Sequence, residues 1–113
     1  MDRERGENPV SIVNTLLSLG LVDEDGKLDP DAVRDLCTVF VDAYMYDCPG
    51  CLEQDPEFWI LTPEQRVIHI ITYGLSLYMK RRINPLTVAT LIKVDEDAVD
   101  ACREAFEEAG LRW

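Results

Sequence analysis

Cys48-Pro49-Gly50-Cys51 is the element of this sequence with the clearest chemistry. A Cys-x-x-Cys can hold zinc, form a labile disulfide or exchange thiols. Zinc needs two further ligands. His69, the single histidine, falls about two turns into a helix and could approach if that helix packs antiparallel. Cys37 is a poor ligand: if its helix runs to residue 47, the rise of ~1.5 Å per residue sets it about 16 Å from Cys48. Thioredoxin-like exchange wants the motif between a strand and a helix, and no strand pattern is present. The plainest reading is a proline-glycine turn with two incidental or reversibly paired cysteines. Cys37 and Cys102 fall on apolar helix faces and read as small core residues. No cofactor is expected; structural zinc on Cys48, Cys51 and His69 is the alternative.

Asp23-Glu24-Asp25-Gly26-Lys27-Leu28-Asp29 resembles the middle of a calcium loop. Aligning Gly26 with that loop's glycine puts Leu21 at the first ligand position and Ala32 at the bidentate twelfth, so the strongest ligands are missing. A solvated turn, with Asp29 capping the next helix, is the expectation. His69 stands between Ile68 and Ile70, as a hydrogen-bonded core histidine would, and sequence spacing places no serine or cysteine beside it. Tyr44, Tyr46, Tyr73, Tyr78, Phe58 and Trp59 could stack nucleobases, but they lack interleaved basic residues and suit a core.

Charge narrows the function. Asp and Glu number 22 against 11 Lys and Arg, a formal net charge of −11. Phosphate backbones and anionic membranes both need positive charge, so neither is an expected general target. The texture is particular: three lysines, eight arginines and twelve aspartates. A high-salt origin or an ordinary acidic cytoplasmic protein would each give it. A length of 113 residues with 47% hydrophobic content suits one folded domain. No apolar run approaches the ~18 residues of a membrane span. MDRERGENP has no apolar leader region, so a cytoplasmic location is expected.

The elements follow from capping and periodicity. Asn8-Pro9, Asp29-Pro30, Asp55-Pro56, Thr62-Pro63 and Asn84-Pro85 each read as a helix start. Thr62 and Gln65 also fit a capping box. Helices are predicted over about 9–19 (Val10, Val13, Leu16 and Leu17 on one face), 30–47, 63–82, 85–92 and 96–109, with a short turn at 57–61. The helix over 63–82 is apolar around much of its circumference and should be central; Lys80, Arg81 and Arg82 close it at the negative dipole end. The expected fold class is all-α: a bundle of about five helices without a sheet. A flexible arm over 1–8 precedes one domain over 9–113, made of a three-helix core (9–82) and a C-terminal pair (85–110).

That pair resembles the helix-turn-helix of DNA-binding regulators, in the form winged-helix domains share. The motif's apolar and small positions hold Val88, Ala89, Ile92, Val94, Val99 and Cys102. The resemblance implies that Ala89 lets the two helices approach and that Val94 and Val99 pin the second on the first. It also implies glycine at the turn, where this chain has Lys93. With Trp113 as the last residue read, no hairpin wing is expected. The outward positions that would read bases hold Asp95, Glu96, Asp97, Asp100, Ala101 and Glu104, which would repel phosphates.

These observations lead to a small, acidic, non-enzymatic protein that binds a protein partner. Its working surface would be Glu96, Asp97, Asp100, Glu104, Glu107 and Glu108, docked on a basic protein surface. A sharper version is a mimic of nucleic acid that fills the binding groove of a host protein, as small phage-encoded inhibitors do. A third reading is a regulator that docks DNA through Arg3, Arg5, Lys80, Arg81 and Arg82.

Overall fold

A computed structural model describes residues 9–113. The arm expected over 1–8, with Arg3 and Arg5, lies outside the described residues. Among the described residues six helices follow one another: α1 (Pro9–Ser18), α2 (Pro30–Asp47), α3 (Pro56–Trp59), α4 (Pro63–Met79), α5 (Pro85–Leu91) and α6 (Glu96–Glu108). The described residues form no strand, only single bridges from Val22 to Leu28 and from Lys27 to Lys93. The segment expected as a turn at 57–61 is a one-turn helix, which makes six helices rather than five.

The starts are set by local chemistry. Side chains of Asp29, Asp55, Asn84 and Asp95 accept from backbone N–H groups in the first turns of α2, α3, α5 and α6. At α4 the capping box is complete: Thr62 Oγ1 accepts from Gln65 N–H at 3.2 Å, and Gln65 Oε1 accepts from Thr62 N–H at 3.0 Å. Proline opens each helix from α1 to α5 without loss of a useful donor.

α4 touches α1, α2, α5 and α6, so it is the hub of the bundle. It buries Val67, Ile70, Ile71, Thr72 and Leu75. It is not apolar all round in use, since Leu77 and Tyr78 are exposed. It also ends three residues before the predicted limit, because Lys80 turns into the left-handed region (φ 57°, ψ 41°). On α1 the buried pair is Ile12 and Leu16, while Val10 and Leu17 face outward. The buried stripe is therefore rotated from the one the sequence suggested.

α6 packs chiefly on α2. The pairs Lys27–Asp95, Cys37–Cys102 and Phe40–Phe106 run in the same order along both chains, so the two helices are parallel. Cys37 and Cys102 are buried as expected, and they are also joined in a disulfide across 65 residues of sequence. α5 packs instead on α4 and α1. Ala89, which the resemblance places between the last two helices, is exposed. Lys93 needs no positive φ; its N–H donates to Gly26 O at 2.9 Å and ties this turn to the loop before α2.

The short α3 delivers Phe58 and Trp59 to the far end of the core. Phe58 and Phe106 lie parallel with centroids 6.0 Å apart, and Phe106 meets Trp113 edge-on at 4.8 Å. The Arg66 guanidinium is held between Trp59 and Trp113, 4.9 and 5.3 Å from their ring centres. It donates to the carbonyls of Trp113 (3.1 Å) and Trp59 (3.2 Å). No helix among the described residues is long and apolar enough to cross a membrane.

Candidate functional site: an acidic face on the last helix

α6 divides cleanly. Ala98, Cys102, Ala105 and Phe106 are buried, with Val99 and Ala109 packed against the core beside them, and Ala101, expected at an outward position, is buried too because it faces α2. Glu96, Asp97, Glu104, Glu107 and Glu108 are exposed and Asp100 is half-buried on the other side. Small residues on the inner face let α6 sit close to α2, and the disulfide fixes it there. The acidic side chains thus project from a rigid helix.

The six expected residues fall into two groups. Asp100, Glu104 and Glu108 are engaged within the chain. Arg34 of α2 donates from Nη1 to Glu104 Oε1 at 3.1 Å and pairs with Glu108 through Nη2. Its hydrogen bond and charge interaction with Glu108 raise its pKa. Arg103 Nη1 donates to Asp100 Oδ1 at 2.8 Å. Glu96, Asp97 and Glu107 form no ion pair among the described residues. Asp31 of α2 joins Asp97, Asp100 and Glu104 around a groove of about 280 Å³, with Arg34 on its wall. Arg34 was not anticipated as a clamp. Its position one turn into an acidic helix carries no signal until α2 and α6 are known to be neighbours.

The other candidates resolve differently. Cys48 and Cys51 are exposed and paired with each other. No group of three or more His, Cys, Asp or Glu that could hold a metal occurs among the described residues. Cys48, Cys51 and His69 are not brought together as a metal-holding group among the described residues. His69 is exposed rather than in the core, because Ile68 and Ile70 beside it in sequence point to other faces of α4. The acidic loop is a tight turn, in which Asp23 Oδ1 accepts from Asp25 N–H and Lys27 N–H, with Gly26 at φ +82°. Tyr46 and Tyr78 are exposed, while Tyr44, Tyr73, Phe58 and Trp59 belong to the aromatic cluster. Burial, then the charges of Asp55 and Tyr73, raises the Tyr44 pKa. Lys80, Arg81 and Arg82 are exposed at the end of α4.

Comparison with protein-family models, with curated proteins and with solved structures finds no match to this chain.

Proposed function

We propose that this protein is a non-enzymatic interaction domain that docks the acidic face of α6 on a basic surface of a protein partner. Glu107 and Glu108 carry the reading. They stand in the last turn of α6, which contains no basic residue. Carboxylates there oppose the negative end of the helix dipole, at a cost of about 0.3–1 kcal/mol each where exposed. Arg34 compensates Glu108; Glu107 has no such partner among the described residues. A face kept only for solubility could carry these charges on any helix without that penalty. Departures from local preference of this kind are expected where a surface works.

A partner whose own task is nucleic-acid binding has the matching charge, so mimicry of nucleic acid is the specific form of the proposal. In that form duplex DNA competes with this protein for the partner. The reading does not require the last two helices to form a helix-turn-helix, and it expects no specific binding of duplex DNA by this protein. It keeps the protein in the cytoplasm, where the exposed Cys48–Cys51 pair would be open to reduction and the buried Cys37–Cys102 pair shielded.

The test begins with affinity purification from the native host. A zero-length carbodiimide reagent then joins carboxylates of this protein to lysines of the recovered partner, and the junctions are mapped by mass spectrometry. Junctions at Glu96, Asp97 and Glu107 are expected. Junctions confined to Asp42, Glu57 or Glu64, on α2, α3 and α4, would place the interface elsewhere.

A further inference from the structure

Cations are scarce in this chain, 11 against 22 acids, and most of the described ones are engaged. Lys27, Arg34 and Arg103 meet carboxylates. Arg66 and Arg112 lie against tryptophan rings. Lys80, Arg81 and Arg82 are three successive cations with no carboxylate within ion-pair distance among the described residues.

The chain folds this triplet back on its own helix. Lys80 is the only non-glycine residue with positive φ among those described. The N–H groups of Lys80 and Arg81 both donate to Ser76 O, and Ile83 N–H donates to Ser76 Oγ at 3.2 Å. Ser76 thus anchors the turn, and His69, Tyr73 and Ser76 follow one face of α4 at i, i+4 and i+7. The turn and that face border an open cleft of about 570 Å³. His69, Arg81 and Arg82 line it together, Leu77, Ile83 and Pro85 supply apolar wall, and no carboxylate among the described residues borders it. Such a volume, with cationic side chains beside apolar wall, is within the range of small-molecule sites.

We propose that this cleft binds a small organic phosphate, with the phosphate monoester against Arg81 and Arg82 and the apolar body along Leu77, Ile83 and Pro85 toward His69. Guanidinium forks match phosphate oxygens in pairs. The rest of the protein selects against a polyanion. Charges are screened beyond about 8 Å at physiological salt, so a small ligand in the cleft feels the local cations. A nucleic acid strand runs past them onto a chain of net charge −11 and is repelled. This site is separate from the acidic face of α6, and either can fail without the other.

The experiment is an NMR titration of the full chain with adenosine 5′-monophosphate, following backbone amides and the His69 ring, with inorganic phosphate and adenosine as further arms. Adenosine 5′-monophosphate should give saturable shifts confined to His69, Tyr73, Ser76, Leu77 and the 81–83 segment. Inorganic phosphate should move the same resonances at higher concentration, and adenosine should leave them in place. Arg81→Ala with Arg82→Ala should weaken binding about tenfold or more, since two charge-assisted contacts are removed, while the thermal midpoint holds. Absence of saturable shifts at millimolar nucleotide, equal binding of adenosine, or unchanged binding by the double variant would overturn the site. A single-stranded oligonucleotide that binds the same residues more tightly than the mononucleotide would overturn its restriction to small ligands.

Discussion

Replacing the two disulfides should have very different consequences. Cys37 and Cys102 are 65 residues apart, Cys48 and Cys51 three. The chain-entropy relation, roughly 2.1 + 1.5R ln n in cal/mol/K, gives about 4 kcal/mol for the long loop and about 1.6 kcal/mol for the short one at 25 °C. Cys37 and Cys102 are also fully buried between α2 and α6, so their loss removes packing as well. A domain of this size is stable by about 5–15 kcal/mol, and 4 kcal/mol is a large share of that. Cys37→Ala with Cys102→Ala should therefore lower the thermal midpoint by on the order of 15 °C. Cys48→Ser with Cys51→Ser should leave the fold intact and cost about 1.6 kcal/mol or less. Thermal and urea denaturation followed by circular dichroism measure both. Equal losses in the two double variants, or a loss under about 1 kcal/mol for the buried pair, would refute the argument that a long closed loop holds α6 on α2.

Lys80→Gly should stabilise the fold. The left-handed conformation costs a non-glycine residue about 1–2 kcal/mol, glycine's extra unfolded freedom returns about 0.4–1 kcal/mol, and a net gain near 0.5–1 kcal/mol should appear in urea denaturation. Arg66→Ala should cost about 2–3 kcal/mol, because two bonds to carbonyls and the stacking on Trp59 and Trp113 are lost. Arg66→Lys should recover less than half of that, since an ammonium lacks the planar fork; tryptophan emission and denaturation report both variants. Burial, followed by the charges of Asp55 and Tyr73, holds the Tyr44 phenol above its usual range. Its stabilising effect is complete below the unfolded value near ~10 and is lost as pH rises through the folded value. Tyr44→Phe should therefore flatten the alkaline fall in stability, read as urea midpoint against pH.

What could be read from the sequence was local. Asp29-Pro30, Asp55-Pro56, Thr62-Pro63 and Asn84-Pro85 each mark a helix start because the cap and the backbone N–H that donates to it lie within four residues. The inner face of α6 was legible for a similar reason: alanine, cysteine and phenylalanine recur at helical spacing against carboxylates. The α1 face was not. Val10, Val13, Leu16 and Leu17 make as good a stripe as Ile12 and Leu16, and only the positions of α4 and α5 decide between them. His69 shows the same limit, since isoleucines adjacent in sequence stand on different sides of a helix. The pairing of Cys37 with Cys102 and the clamp of Arg34 on Glu104 and Glu108 depend on α2 and α6 lying side by side, which no spacing along the chain encodes. The cleft was half visible: His69, Tyr73 and Ser76 share a face, but the return of Arg81 and Arg82 over it requires the left-handed turn at Lys80.

The acidic face is tested most directly by the association rate of the recovered partner across a range of salt concentrations. The variant to compare with wild type carries Glu96→Lys, Asp97→Lys and Glu107→Lys, three positions that leave the ion pairs of Arg34 and Arg103 in place. Lysine at Glu107 suits the negative end of α6 while lysines at Glu96 and Asp97 oppose its positive end, a net cost on the order of 1 kcal/mol that the fold should survive and that circular dichroism checks. If the face docks on a basic surface, the wild-type rate falls steeply with salt, and the variant associates at least about tenfold more slowly with that dependence flattened or inverted. A variant that is folded and associates at the wild-type rate, with the same salt dependence, would contradict the account.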